Sequence, residues 1–160
     1  MPLSSREIYG RLLSPPISGR QVIAMSRGDA QQLPTLPGVA VISITAPEKP
    51  PAALAEFTHI LRLSFADVDF LSKEISSRAA KKLQDAFTRH QASEVKQFVE
   101  SLPLDIATIV VHCEGGFSRS CANAVALNKL YGYEVIQEQL HRANPSVVTT
   151  MLSVEPKKKK

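Results

Sequence analysis

The chain has 160 residues, 44% of them hydrophobic and 21% charged, which is typical of one globular domain with a core of its own. This composition excludes a wholly disordered chain, a collagen-like fibre and a disulfide-stabilised scaffold. No apolar run approaches the roughly 18 residues of a membrane-spanning helix, and residues 1–10 lack the apolar stretch of a signal peptide. We therefore expect a cytoplasmic protein with no membrane partner.

The net charge of +4 comes entirely from the four lysines at 157–160, without which basic and acidic residues are equal in number. The body of the chain therefore offers no basic face for nucleic acid. The absence of tryptophan and the 6% of aromatic residues do not favour a base-stacking surface either. We expect the lysine tail to be solvated, with attraction to phosphate, nucleic acid or a membrane surface as the alternative.

Strands and helices alternate along the first half of the chain. Residues 1–19 are predicted to form an N-terminal arm with an amphipathic piece at 6–13, and a short helix is predicted over 29–33. The predicted strands, rich in apolar and β-branched side chains, are residues 22–25, 39–45 and 59–65.

The second half continues the alternation. Helical spacing of apolar residues predicts a long helix over 72–102 with a bend near 90–93. Residues 106–111 are the most apolar strand, typical of the centre of a parallel sheet. The remaining helices are predicted from Arg119 to Gly132, over residues 134–142, and after an N-cap at Asn144.

This order of elements predicts an α/β fold with a central, mostly parallel sheet of about four to five strands and helices on both faces. The predicted domain covers residues 20–155, preceded by the arm at 1–19 and followed by a basic tail at 156–160.

The loop after the most apolar strand carries the chemistry. Its sequence, residues 112–120, is His-Cys-Glu-Gly-Gly-Phe-Ser-Arg-Ser. Backbone N–H groups of such a glycine-containing loop at a helix N-terminus form a nest for a dianion like phosphate, and Arg119 can bind two phosphate oxygens at once. Cys113 lies in the same positive field, which favours the nucleophilic thiolate. The pattern predicts phosphoryl transfer through a cysteinyl-phosphate.

The segment VVHCEGGFSRS resembles the signature loop of the cysteine-dependent protein tyrosine and dual-specificity phosphatases, His-Cys-x5-Arg-Ser/Thr. LRLSFAD resembles the strand leading to that family's general-acid loop, and RANPSVVTTML resembles its closing helix. The length is similar to that of compact members with a catalytic domain alone, and VISITAP and LSFADVD look like bacterial predicted tyrosine phosphatases. The resemblance implies a compact bacterial-type member with a shallow pocket.

The resemblance implies a role for each residue of the loop. Cys113 matches the nucleophile and Arg119 the phosphate-binding arginine. Ser120 matches the hydroxyl that hydrogen-bonds the thiolate and helps it leave, and His112 matches the histidine that orders the loop. The predicted backbone donors to the phosphate are Glu114, Gly115, Gly116, Phe117 and Ser118.

Two further positions in this region have open interpretations. Glu114 departs from the basic residues found in some of these loops, and its carboxylate is expected to repel a highly charged inositol phosphate. Cys121 is either a core residue or a thiol that traps oxidised Cys113 as a disulfide. The two cysteines have no zinc-site spacing, and we expect no metal and no cofactor.

The general acid has three candidates. The resemblance aligns Asp67 with the acid position, with Asp69 as the alternative, although their distance along the chain from Cys113 exceeds that usual in dual-specificity members. Asp85 is closer to the usual spacing but is predicted to face solvent inside the long helix. Without a catalytic role, Asp67 and Asp69 would cap a helix before Ser72.

These residues together favour a metal-independent protein phosphatase, most of all for phosphotyrosine, that acts as a monomer on a phosphorylated protein without a nucleic-acid partner. Two alternatives remain open. One is an inactive phosphopeptide-binding module built on the same loop. The other is a phosphatase of a non-protein substrate such as a nucleotide or RNA phosphate.

Overall fold

Five parallel strands form the centre of the fold in this computed structural model, which describes residues 5–16, 19–69 and 83–154. The spatial order is β3-β2-β4-β1-β5, and every neighbouring pair is parallel. This confirms the predicted α/β class. The strands are β1 (Gln21–Ser26), β2 (Val39–Thr45), β3 (Ile60–Ser64), β4 (Thr108–Cys113) and β5 (Glu134–Val135).

Helices cover both faces of the sheet. They are α1 (Ser5–Leu12), α2 (Arg27–Gln32), α3 (Arg89–Ser101), α4 (Arg119–Tyr131) and α5 (Pro145–Ser153), with short 3-10 turns at Leu83–Asp85 and Gln137–Gln139. Among the described residues no helix combines the length and the apolar content needed to cross a bilayer.

The side chains of the central strands alternate between two cores. On β4, Ile109 and Val111 belong to the core under α3, α4 and α5, whereas Val110 belongs to the core under α1 and α2. Alternate side chains of a strand point to opposite faces, and both faces of β4 are covered. This double burial accounts for the continuous apolar run that marked β4 in the sequence.

The prediction of a helix over residues 134–142 is wrong. Glu134 and Val135 instead pair with Gln21 and Val22 at the edge of β1. Farther along that edge, Gln139 Nε2 donates to the Ala24 carbonyl at 2.7 Å, and the Ala24 N–H donates to Gln139 Oε1 at 3.3 Å. The backbone N–H and C=O groups on the open edge of β1 require hydrogen-bond partners. This requirement outweighs the preference for a helix that the spacing of apolar residues indicated.

The long helix predicted over 72–102 is also corrected where the structure describes it, since residues 70–82 lie outside the described range. Asp85 lies in a 3-10 turn rather than inside a helix, and it is exposed. The α-helix begins only at Arg89, because Thr88 and Gln91 form a capping box. Among the described residues, the α-helix therefore covers only the part of the predicted helix from 89 onwards.

The predicted start of α5 and the predicted end of α4 are confirmed within two or three residues. Asn144 caps α5 by accepting from the backbone N–H groups of Ser146 and Val147, and Pro145 occupies the first turn. Gly132 ends α4 in a left-handed conformation with φ of 72°. The domain limits at 20 and 155 stay predictions, and the lysine tail lies outside the described residues.

Arg20, just before β1, joins β1 to the end of α3. Its guanidinium donates to the carbonyls of Ile106, Pro103 and Leu102 at 2.7, 2.9 and 3.2 Å, and to Tyr133 Oη at 3.0 Å. Cations at a helix C-terminus and charged donors to carbonyls both stabilise a fold.

We expect Arg20→Ala to lower the free energy of unfolding by about 2 kcal/mol, the size of a lost hydrogen bond from a charged donor to partly buried acceptors. Urea denaturation would measure the change. Arg89→Ala, at an exposed position on α3, is the matched control and should change the unfolding free energy by less than about 0.5 kcal/mol. Equal effects of the two substitutions would contradict this role of Arg20.

Candidate active site

The predicted loop lies at the carboxyl end of the sheet, between its central strand and a helix N-terminus. β4 ends at Cys113 and α4 begins at Arg119, and β4 is flanked by β2 and β1. Ligands of open α/β sheets bind at this edge, and the N-terminus of a helix favours anions. All nine residues from 112 to 120 are therefore collected at one point of the fold.

Cys113 lies at the bottom of this loop with two hydrogen-bonding partners on its sulfur. The backbone N–H of Gly116 donates to Sγ at 3.2 Å, and Ser120 Oγ lies 3.2 Å from the same atom. The loop thus curls around the sulfur, and Ser120 occupies the predicted position beside it.

Gly116 makes this curvature possible. Its φ of +82° lies in the left-handed region, and a Cβ at this position would come within 2.5 Å of the Ser26 backbone nitrogen. Any other residue would clash with the end of β1 and carry backbone strain. The glycine predicted for tight curvature is thus required by packing as well.

Arg119 is almost fully buried, with 6% of its surface exposed. Its Nη1 donates to the Phe65 carbonyl at 2.9 Å, which fixes the guanidinium to the segment after β3. Its Nε is buried and has no hydrogen-bond partner among the described residues. A buried charged donor without an acceptor is costly, so this nitrogen fits the recognition of an anion in the loop.

Asp67 is the candidate acid that contacts the loop. Its Oδ1 accepts hydrogen bonds from Ser118 Oγ at 2.8 Å and from Asn144 Nδ2 at 2.9 Å. Asp69 accepts instead from Ser146 Oγ at 2.6 Å, at the start of α5. Asp67 is thus hydrogen-bonded to a loop side chain, whereas the Asp69 bond to Ser146 lies at α5, and which aspartate is the general acid stays a prediction.

His112, near the end of β4, is fully buried beside β2. Its Nε2 lies 2.6 Å from Ser43 Oγ, and its Nδ1 lies 3.4 Å from the Cys113 carbonyl. Burial lowers the pKa of His112 below its ordinary value of 6.5, so the ring is neutral at pH 7. A neutral imidazole held at both nitrogens orients the strand end without adding charge to the site.

The carboxylate of Glu114 does not face the site as a free charge. Arg27 Nη1 binds Glu114 Oε1 at 3.1 Å, and Arg27 Nη2 donates to the Pro51 carbonyl at 3.0 Å. The expected repulsion of an inositol phosphate by Glu114 loses its basis, because the neighbouring guanidinium offsets the negative charge. Arg27 was not singled out in the sequence as a partner of the loop.

Cys121 lies in the core behind the loop. Its thiol donates to the Gln139 carbonyl at 2.9 Å, and burial raises the pKa of Cys121 to about 12. A thiol that stays protonated near neutral pH is a poor nucleophile. This environment favours the core interpretation of Cys121 over the disulfide-forming one.

A cavity of about 650 Å³ adjoins the loop without containing its reactive groups. Residues 115–117 form part of its wall, together with parts of α1 and of the segment after β5, whereas Cys113 and Arg119 do not line it. Arg142 lies over the ring of Phe117, 5.5 Å from the ring centroid, in a cation–π contact. The cavity therefore borders the candidate site on the side of residues 115–117.

Asn144 is a site residue that sequence reasoning recognised only as a helix cap. Its contact with Asp67 joins positions 77 residues apart, and no local pattern signals such a contact.

Comparison of the chain with protein-family models, with curated proteins and with solved structures gives no match.

Proposed function

We propose that the protein hydrolyses phosphomonoesters, most of all phosphotyrosine in proteins, through a phosphate covalently bound to Cys113. The observation that carries the proposal is that three groups belong to one loop or are bonded to it. They are a sulfur with two hydrogen-bonding partners, a buried guanidinium whose Nε has no partner among the described residues, and a carboxylate hydrogen-bonded to the loop residue Ser118. A nucleophile, a phosphate-binding group and a proton donor are the groups that phosphoryl transfer needs when no metal takes part.

In the first step, the loop N–H groups and Arg119 bind the phosphate dianion and orient it over the sulfur. Cys113 Sγ attacks phosphorus in line with the tyrosyl oxygen. The S–P bond forms as the P–O bond breaks, and Asp67 in its protonated form gives its proton to the departing oxygen. Tyrosine leaves as a neutral phenol.

In the second step, the Asp67 carboxylate removes a proton from a water molecule that attacks phosphorus. The S–P bond breaks, inorganic phosphate is released, and the sulfur departs as a thiolate. The Ser120 hydroxyl, 3.2 Å from Sγ, stabilises that thiolate by donating a hydrogen bond. Asp67 is returned to its protonated form for the next cycle.

The proposal includes a cytoplasmic location and a monomer that acts on phosphorylated protein. Both described cysteines are free thiols, which suits a reducing compartment.

A panel of phosphotyrosine peptide, phosphoserine peptide, inositol phosphate and RNA 5′-phosphate, assayed with excess chelator, tests the substrate class. Fastest turnover of phosphotyrosine supports the proposal, whereas binding without turnover would indicate a phosphopeptide-binding module.

The thiols should differ sharply in reactivity. We expect iodoacetate to alkylate Cys113 quickly near pH 7, and bound inorganic phosphate to protect it. Cys121 should stay unmodified in the folded protein, because its pKa of about 12 leaves almost no thiolate. Peptide mass spectrometry measures both rates. Cys113→Ser should lose turnover and keep phosphate binding, and equal alkylation of the two cysteines would count against the mechanism.

Arg119→Lys should lower kcat/KM by about a hundredfold or more, because one ammonium cannot replace a fork that holds two phosphate oxygens. Arg142→Lys, which changes an arginine near the loop that stacks on Phe117, is the control and should alter kcat/KM only slightly. Near-normal kinetics of Arg119→Lys would make Arg119 a structural residue.

Asp67→Asn should slow phosphotyrosine hydrolysis by about a hundredfold or more and slow nitrophenyl phosphate hydrolysis much less. The difference arises because a phenoxide leaving group, with a pKa of about 10, needs the donated proton far more than a nitrophenolate does. Asp69→Asn is the matched control. A leaving-group-dependent loss in Asp69→Asn alone would transfer the role of general acid to Asp69.

A further inference from the structure

We infer that Asn144 is a positioning residue that holds the Asp67 carboxylate in place for proton transfer; the inference rests on the proposed function. Asn144 is 4% exposed. It lies at the start of α5, and it is in contact with both the loop and the segment that carries Asp67. Its role as a helix cap uses only one of the two polar atoms of its side chain.

The side chain of Asn144 makes hydrogen bonds in two directions. Its Nδ2 donates to Asp67 Oδ1 at 2.9 Å and to the Val68 carbonyl at 3.0 Å. Its Oδ1 accepts from the N–H groups of Ser146 and Val147 at 2.9 and 3.3 Å. The backbone N–H of Asn144 donates to the Ser118 carbonyl at 3.2 Å. One residue therefore joins three parts of the fold: the segment that carries Asp67 (residues 65–69, the acid segment), the loop and α5.

The orientation of this amide follows from its partners. Two N–H donors require an acceptor at one end, and a carboxylate and a carbonyl require a donor at the other. Only an amide side chain of this length satisfies both ends. Aspartate or serine can also cap the helix. An ionised aspartate has no donor for Asp67, and the serine hydroxyl lies one atom closer to the backbone than the Nδ2 that reaches Asp67. A substitution can therefore remove the hydrogen bond to Asp67 and keep the helix cap.

The contacts also leave one oxygen of Asp67 available. Ser118 and Asn144 both donate to Oδ1, and among the described residues Oδ2 accepts no hydrogen bond. Asp67 is an exposed side chain that would otherwise sample several rotamers. Two donors on one oxygen hold the carboxylate with Oδ2 free to carry the transferred proton.

The segment around Asp67 is fixed at both ends. Arg119 donates to the Phe65 carbonyl on one side of Asp67, and Asn144 donates to the Val68 carbonyl on the other. The phosphate-binding arginine and the positioning asparagine thus bracket the acid. A small misplacement of a reacting group costs large factors in rate, so loss of the Asn144 donor should act on proton transfer specifically.

The test compares Asn144→Asp and Asn144→Ser with the wild type on two substrates. Both variants keep a side-chain cap and lose the Nδ2 that donates to Asp67, since aspartate carries no donor and the serine hydroxyl is one atom shorter. We expect kcat for a phosphotyrosine peptide to fall by about tenfold to a hundredfold with little change in KM. We expect kcat for nitrophenyl phosphate to fall by less than about threefold. Asn144→Ser provides the same comparison without added charge, should Asn144→Asp fail to fold.

Asn128→Asp is the matched control, since Asn128 Nδ2 donates to the Tyr133 carbonyl at 2.8 Å far along α4. It should leave both rates close to those of the wild type. In an Asp67→Asn background, Asn144→Ser should cause no further loss on phosphotyrosine, because the group that it positions has been removed. Thermal unfolding shows that the variants compared are folded.

Equal losses on both substrates, or losses that add to those of Asp67→Asn, would overturn the inference and leave Asn144 as a helix cap alone. Unchanged rates in both Asn144 variants would also overturn it. These outcomes require an active wild type with a leaving-group-dependent Asp67→Asn defect, and they leave the proposed function standing. A wild type that turns over neither substrate refutes the proposed function, and the inference with it.

Discussion

The loop after β4 depends on its close approach to the backbone at the end of β1. Gly116 packs so closely against Ser26 and Met25 that no Cβ fits, and its positive φ turns the chain back towards Cys113. This turn directs the Gly116 N–H to the sulfur at 3.2 Å. The sulfur, its donors and the start of α4 can meet only because two neighbouring parallel strands end side by side.

A second set of contacts brings the acid segment to the loop. The segment follows β3, at the edge of the sheet and separated from β4 by β2. Arg119 reaches across to the Phe65 carbonyl, and Asn144 reaches Asp67 and the Val68 carbonyl from α5. The candidate site is therefore held by hydrogen bonds from the side chains of Arg119 and Asn144 to a segment distant in sequence. Such bonds fix direction as well as distance.

The charge of the site is concentrated on few groups. Glu114 is paired with Arg27, and burial keeps His112 neutral at pH 7. The positive field of the loop thus rests on its backbone N–H groups, on the N-terminus of α4 and on Arg119. For the proposed reaction, an arrangement of fixed dipoles has the advantage that it needs no reorganisation to bind a dianion.

The sequence by itself determined the α/β class, the central apolar strand and the position of Cys113, Arg119 and Ser120 on one short loop. These features depend on local periodicity and on residues within seven positions of one another, so they can be recognised from order alone. Tertiary structure decided the rest. The strand at 134–135, the pairing of Arg27 with Glu114 and the contact of Asn144 with Asp67 join segments that are far apart along the chain. These contacts form because open strand edges and buried polar groups require hydrogen-bond partners in the folded chain. Open edges and buried groups do not exist before the chain has folded.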